Sequence, residues 1–177
     1  MSGSASLEDE KGILPKTMPV AVIMECRPSS NVWLDEVWSA SGVTGDTQSE
    51  SAQPGSVRVI NEQEDVRQLM YSGFNITLYV DECESYYHNL KAPEPGCYVI
   101  ARNDSNEVPV PFLVSLSFDE ANAYMECEDI VFTVPMSAEL YRWTEKFVLL
   151  NYVPEKRVKR KRQNWKNAGN EKPGYKI

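Results

Sequence analysis

The sequence contains few residues of the kinds that assemble into catalytic or metal sites. His88 is its single histidine, and no two of its four cysteines form a CxxC pair. This spacing disfavours a zinc ribbon and a thioredoxin-type redox site. The chain also lacks a GxGxxG motif and a glycine-rich phosphate loop, so it carries no nucleotide-binding signature.

Long apolar stretches are missing as well. No run approaches the ~20 apolar residues that a membrane-spanning helix requires. The start, MSGSASLEDEKG, has neither the basic residues nor the apolar segment of a secretion signal. We therefore expect a cytoplasmic protein with no membrane partner. A reducing cytosol keeps thiols free, and most of the cysteines are predicted to be small buried apolar residues: Cys26, Cys83, Cys97 and Cys127.

The charges are divided unevenly along the chain. Residues 155–177 hold nine Lys/Arg and two Asp/Glu, whereas the other 154 residues hold nine Lys/Arg and 24 Asp/Glu. These two parts therefore carry net charges of +7 and −15, which together give the −8 of the whole chain. An acidic body with a basic tail can fold back on itself or reach a separate anionic partner. The acidic body repels phosphate, which disfavours a general nucleic-acid binder.

The chain is well supplied with material for one hydrophobic core. Hydrophobic residues make up 42% of its 177 residues and aromatic residues 10%, which favours a packed domain over a disordered chain. We predict a disordered leader over residues 1–17, a single α+β domain over 18–153 and a basic tail over 154–177. The residues indicate neither a cofactor nor a metal.

Short apolar segments predict a sheet. The clearest strand is 74–80, where apolar and polar residues alternate. Pro109 and Pro111 place the segment 108–116 at a sheet edge, or start its strand only at Phe112. Connections of hairpin length favour antiparallel pairing. We expect a strongly bent antiparallel sheet or partial barrel packed by a C-terminal helix. The predicted strands are 18–24, 33–43, 57–60, 66–71, 74–80, 97–101, 108–116 and 130–134.

A first helix is predicted directly after the strand 74–80. Asp81 is positioned to cap it, and Glu84, three residues later, to reach back in a capping box. Helical spacing predicts an inward face made of Tyr79, Cys83, Tyr86 and Leu90, with Glu82, Glu84 and Asn89 pointing elsewhere.

Two more helices are predicted later in the chain. Residues 117–120 form a second capping box, and the inward residues of its helix are predicted to be Ala121, Tyr124 and Met125. Ser137 is predicted to cap the longest helix, which Pro154 ends. Its inward stripe is predicted to be Leu140, Trp143, Phe147 and Leu150.

The outer face of the first helix is the predicted interaction surface. Tyr86 and Tyr87 are adjacent and so point to different sides, and one can pack inside while the other joins a protein interface. The alternative is that both tyrosines only pack the helix against the rest of the domain. Ligation of zinc by His88 with cysteines, and a nucleophilic Cys83–His88 pair, are both disfavoured by spacing. The predicted surface residues are Glu82, Glu84, Tyr87, His88 and Asn89.

The basic tail is the second candidate contact. It is predicted to touch an acidic protein surface; the alternative is nucleic acid or an anionic phosphate, with the tryptophan stacking on a base. We favour the protein partner. The tail residues concerned are Lys156, Arg157, Lys159, Arg160, Lys161, Arg162 and Trp165.

Several segments together carry a family resemblance that covers most of residues 18–164. They are PVAVIMECRPSSNVWLDEVW, LYVDECESYYHNL, PVPFLVSLSFDEANAYMECED and VPMSAELYRWTEKFVLLNYVPEKRVKRKR. They resemble a bacterial domain-of-unknown-function family of small cytoplasmic proteins, often encoded beside molybdenum-dependent formate dehydrogenase.

The resemblance implies a role connected with that dehydrogenase, and it implies no reaction. We therefore predict a non-catalytic accessory or binding protein associated with molybdenum-dependent formate dehydrogenase in assembly or docking. Its partner would be a dehydrogenase subunit or a maturation factor. The alternative is a nucleic-acid-binding regulator that acts through the basic tail.

Overall fold

A computed structural model describes residues 14–30, 35–46, 55–63 and 65–154. Most of the predicted leader, and the predicted tail from residue 155 onward, lie outside these ranges. No helix in the described ranges is both long and apolar enough to cross a membrane. The elements there are β1 (Thr17–Pro28), β2 (Glu36–Gly45), β3 (Ser56–Gln63), β4 (Val66–Thr77), α1 (Cys83–Leu90), β5 (Gly96–Asn103), β6 (Pro109–Ser115), α2 (Phe118–Glu126), β7 (Ile130–Pro135) and α3 (Ala138–Asn151).

The first sheet has four antiparallel strands in the order β2-β1-β4-β3. Alternate residues of a strand face opposite sides, and Val20, Val22 and Met24 of β1 are completely buried. The predicted strand 18–24 and its hairpin with the following strand are confirmed. The second strand begins at Glu36, and Trp33, where it was predicted to begin, lies outside the described residues.

The strands predicted at 66–71 and 74–80 are in fact one strand, β4. Gly73 lies between them with a φ of 88°, which glycine adopts at little cost because it lacks a Cβ. The pairing of β1 with β4 shifts its register opposite this glycine, between Val20 and Val22. Such a bulge bends a strand without ending it, so the glycine that signalled a boundary in the sequence is an interior residue.

The second sheet has three antiparallel strands in the order β6-β5-β7. Its central strand is buried from Gly96 to Ala101. The edge strand β6 carries Pro109 and Pro111, as predicted, because an edge tolerates residues that cannot donate to a ladder. The strand starts at Pro109 itself.

Two open sheets replace the single bent sheet or partial barrel that was predicted. The ladder of the first sheet ends at Thr77, and a 3₁₀ turn over Val80–Glu82 and α1 follow before β5 begins. This interruption lets β5 pair with β6 and β7 instead of β4. The prediction of a mixed, antiparallel fold is confirmed for the described part of the chain, and neither sheet closes.

The longest helix, α3, matches its prediction at the capping serine and at three of the four residues of its inward stripe, whereas Leu150 is only half-buried. The Ser137 hydroxyl accepts from the Leu140 amide at 3.3 Å, and Leu140, Trp143 and Phe147 are buried. They share one hydrophobic core with apolar residues of both sheets. The indole of Trp143 also donates to the Pro15 carbonyl at 2.7 Å, a contact that no sequence pattern indicated.

The short helix α2 matches its prediction only at its start. The Ser117 hydroxyl caps it by accepting from the Glu120 amide at 3.1 Å. Ala121 is buried, but Met125 is 45% exposed, so its inward placement was wrong. The helix rests on the second sheet through Ala121 and Tyr124. Met125 lies about 100° further around the helix than Tyr124 and falls outside that narrow contact.

Candidate functional site

The chain enters α1 through the 3₁₀ turn, and the predicted cap by Asp81 does not form. The residues at the cap positions of the turn and of the helix make no side-chain cap hydrogen bond. The Glu82 amide instead donates to the Tyr79 carbonyl at 3.2 Å, so the turn satisfies one of the free donors at the helix start. This leaves the Asp81 side chain exposed.

The inward face of α1 is only partly the one predicted. Cys83 and Tyr86 are buried, whereas Tyr79 is 56% exposed. The periodicity of an α-helix does not extend back through a 3₁₀ turn, which has 3.0 residues per turn. The Tyr86 hydroxyl accepts from the Tyr79 amide at 3.3 Å, and burial raises the pKa of Tyr86 to about 12.

Asn89 belongs to the buried face of α1 and not to the predicted interaction surface. Its side-chain amide donates to the carbonyls of Gly96 and Leu116, both at 2.8 Å. Its side-chain oxygen accepts from the Gly96 amide at 2.9 Å. One side chain therefore ties α1 to the start of β5 and to the residue after β6. A buried polar group is stable in this way only when its hydrogen bonds are made.

Serine hydroxyls join α1 to the start of α2. The Ser117 hydroxyl donates to the Glu82 carboxylate at 2.6 Å and lies 3.1 Å from the Ser85 hydroxyl. Ser85 in turn accepts from the Asp119 amide at 3.3 Å. Glu82, one of the predicted surface residues, is therefore half-buried and engaged in this network. These bonds hold the two helix starts in a fixed relation.

An open cleft of about 350 Å³ lies between α1, the start of α2 and the second sheet; we name it the α1–α2 cleft. Phe118, the first residue of α2, is 52% exposed at this cleft. Its ring packs edge-on against the buried Tyr98, with centroids 6.1 Å apart. The polar lining includes an imidazole and two carboxylates, those of His88, Glu94 and Asp119. An exposed aromatic ring beside carboxylates suits a cationic group.

A second, more open depression of about 500 Å³ adjoins the cleft. Asp119 lines both, so the two border on the same residue. The depression is lined by Tyr79, Asp81, Glu82, Asp119, Glu120 and Ala123. The Glu120 carboxylate accepts from the Ser115 hydroxyl, which fixes its position. The whole face thus combines fixed carboxylates with exposed aromatic rings.

The remaining predicted surface residues lie on the outer side of α1. The side chains of Glu84 and His88 are 65% and 67% exposed, with Oε1 of Glu84 3.8 Å from Nε2 of His88. Tyr87 is half-buried. Its ring lies 5.5 Å from that of His88 and 5.4 Å from that of Tyr152, and the Lys91 ammonium lies 5.7 Å from its centroid.

Sequence reasoning missed Phe118, Asp119 and Tyr98. Residues 117–120 were recognised only as a capping box. A usable signal was present: Phe118 is a large aromatic residue outside the inward stripe of Ala121 and Tyr124. Tyr98 gave no such signal, because it lies in a strand of almost continuous apolar residues.

The thiols do not assemble into a reactive centre in the described part of the chain. Cys26, Cys83 and Cys97 are buried, as predicted for most cysteines, while Cys127 is exposed. Burial raises the pKa of Cys97 to about 12 and that of Cys26 to about 11. Burial, together with the charge of Asp81, also raises the pKa of Cys83. Among the described residues, no three His, Cys, Asp or Glu side chains come together to hold a metal ion.

Over the described residues, fold and site together define a mostly β protein with two antiparallel sheets and an open cleft of aromatic and carboxylate side chains. The chain belongs to a family described as protein of unknown function (DUF3305), whose model matches residues 19–162. This confirms the predicted membership of a domain of unknown function. Comparison with curated proteins and with solved structures gave no match. Bacterial origin and the connection with formate dehydrogenase stay predictions.

Proposed function

We propose that this protein is a non-catalytic binding protein that docks onto a larger protein through the α1–α2 cleft. The observation that carries the proposal is the exposed Phe118 ring, held beside the Asp119 carboxylate at a preformed cleft. Aromatic anchors in water-excluding pockets contribute much of the energy of protein interfaces. The hydrogen bonds of Ser117 and Ser85 fix the cleft in advance, and this lowers the entropic cost of binding.

The side chains of this face favour binding over bond-making. The serine hydroxyls are engaged in capping and bridging hydrogen bonds. The nearby Cys83 thiol is buried with a raised pKa, which favours the protonated and unreactive form. The exposed Phe118 ring and the Asp119 carboxylate, in contrast, can take a basic segment of a partner, with Arg or Lys over Phe118 and paired with Asp119.

The partner we propose is a subunit or maturation factor of molybdenum-dependent formate dehydrogenase, in an assembly or docking role. What supports this partner is the sequence resemblance described above. The geometry of the cleft supports a protein partner with an exposed basic segment.

Co-purification from the native host tests the proposal. The tagged full-length protein, gently crosslinked, is expected to recover a dehydrogenase subunit or a maturation protein. Phe118→Ala should weaken this capture by tenfold or more, because loss of an anchor residue costs ~2 kcal/mol or more. Phe112→Ala is the matched control, since Phe112 is a 37% exposed aromatic residue on β6, away from the cleft.

Two results would contradict the proposal. Recovery of neither kind of protein would remove the proposed partner. Equal capture by the Phe118→Ala and Phe112→Ala variants would remove the cleft as the docking site.

The alternative function, a nucleic-acid-binding regulator, is supported by the sequence of residues 155–177, which lie outside the described residues. It predicts that the full-length protein shifts DNA or RNA in a gel, with binding that falls steeply as salt increases. Replacing the six Lys/Arg of residues 156–162 by Gln should abolish this shift. No shift at low salt would end this alternative.

A further inference from the structure

The last described residues of the chain lie beside the α1–α2 cleft. α3 ends at Asn151, and the ring of the following Tyr152 packs 5.4 Å from that of Tyr87 on α1. Tyr87 in turn touches His88, which lines the cleft. Residues 155–177, with their net charge of +7, therefore start next to this face.

The basic run begins within reach of the cleft. An extended chain spans at most ~3.3–3.6 Å per residue, so Lys156 extends up to ~14 Å from Tyr152 and Arg162 up to ~35 Å. The eight residues of α1 are only ~12 Å long. A tethered segment of this kind reaches an effective concentration of the order of millimolar, which makes even a weak contact well populated.

The surface near that starting point has the opposite charge. The carboxylates of Glu84, Glu94 and Asp119 lie on α1, on the loop after it and at the start of α2. The exposed Phe118 ring adds a surface for a guanidinium or ammonium group. Lys91, which carries a positive charge, lies over the Tyr87 ring.

We propose that the basic segment 156–162 of the chain docks across its own α1–α2 cleft, with its Lys and Arg side chains against Asp119, Glu84 and the Phe118 ring. The cleft is then occluded by the protein itself. A partner with a basic segment must displace this one, and a partner with an acidic surface releases it. The consequence for partners rests on the proposed function, whereas the docking itself does not.

Paramagnetic relaxation enhancement in the full-length protein tests the docking directly. A spin label is attached to Asn167→Cys in a Cys127→Ser background, because Cys127 is the exposed cysteine among the described residues. We expect the amide signals of His88 and Asp119 to lose far more intensity than those of β3. Raising the ionic strength from about 0.1 M to about 1 M shortens the Debye length from ~10 to ~3 Å and should restore them.

Neutralising variants locate the contact. Glu84→Gln with Asp119→Asn should restore most of the lost signal. The matched control is Glu62→Gln with Asp65→Asn, which removes the same two kinds of carboxylate from exposed positions in and next to β3 and should change nothing. Uniform signal loss, loss centred on β3, or equal effects of the two double variants would overturn the proposal.

The outcome is separable from that of the proposed function. Local signal loss at the cleft without capture of a partner would support the docking of the basic segment and contradict the proposed function. Capture of a partner through Phe118 without local signal loss would support the proposed function and contradict the docking. If both hold, replacing the basic residues of 156–162 by Gln should strengthen capture of a partner with a basic segment.

Discussion

The two faces of α1 use polar residues in opposite ways. On the inner face, Asn89 makes three hydrogen bonds to backbone groups of two other segments and is only 6% exposed. On the outer face, His88 is largely exposed and has a loose 3.8 Å contact with Glu84. The adjacent residues 88 and 89 thus differ in role: one is exposed, and the other joins segments of the fold. Polar residues on the inner face of this helix hold the fold together, whereas those on the outer face are exposed and can contact a partner.

The largest expected loss of stability follows from replacing Asn89, on the inner face of α1. Asn89→Leu keeps the size of the side chain but leaves the two Gly96 groups and the Leu116 carbonyl without this partner. An unsatisfied buried group costs about 1–3 kcal/mol, so we expect the free energy of unfolding in urea to fall by about 3 kcal/mol or more. The control Asn122→Leu, whose amide contacts Glu126 on the surface of α2, should change it by less than about 0.5 kcal/mol. Equal effects of the two variants would show that the hydrogen bonds of Asn89 to Gly96 and Leu116 do not stabilise the fold.

Tyr86, a second residue of the inner face, makes the free energy of unfolding depend on pH. A tyrosine in the unfolded chain ionises near pH 10, whereas Tyr86 in the folded protein keeps its proton up to about 12. Its contribution to stability is therefore fully present below pH 10 and is lost as the pH rises towards 12.

Denaturant unfolding at pH 10 to 12 measures this loss. The pKa shift corresponds to roughly 2–3 kcal/mol, and Tyr86→Phe should flatten the pH dependence by about that amount. Some dependence should persist, because burial also raises the pKa of Tyr71 and Tyr98. An unchanged slope in Tyr86→Phe would mean that Tyr86 is not protected from ionisation.

The two helix-capping serines are expected to contribute unequally to stability. Ser137 caps α3 with one hydrogen bond, whereas Ser117 caps α2 and also donates to Glu82 of the turn before α1. Ser137→Ala should lower the free energy of unfolding by about 1 kcal/mol, the usual value of a cap. Ser117→Ala should lower it by about 2 kcal/mol, because the bond to a carboxylate is lost as well. Thermal unfolding of both variants measures the difference, and equal shifts would mean that the bridge adds no stability.

The smallest expected effect on stability is at the outer face. His88→Ala removes an exposed i,i+4 pair whose contribution is about 0.3–0.5 kcal/mol. We expect the free energy of unfolding to change by no more than that, while capture of a partner through the cleft falls. A large loss of stability in His88→Ala would show that the outer face is structural and would contradict its assignment to binding.

Local rules were sufficient for much of the fold. The apolar run of β1, the prolines of β6 and the capping serines Ser117 and Ser137 each predicted a feature that the structure shows. Each of these rules depends on residues only a few positions apart. These local rules could not predict the length of β4, because the bulge at Gly73 depends on pairing with β1, more than 50 residues earlier.

The candidate site was predictable only in part for the same reason. Glu84 was correctly placed outside because its position depends on helical spacing. Asn89 was placed wrongly, since one of its acceptors, the Leu116 carbonyl, is 27 residues away. The cleft itself is formed where α1, α2 and the second sheet meet. Because these elements come from separate parts of the sequence, no short segment predicts the cleft.

The bond between Trp143 and Pro15 has a consequence for protein engineering. It holds the beginning of the described chain against α3, and the chain leaves the same helix at Asn151, about 12 Å further along its axis. A short peptide linker could therefore join these two points, with new termini opened at the exposed turn of residues 104–107. Such a circularly permuted protein would keep both sheets intact while freeing the cleft from any tethered neighbour.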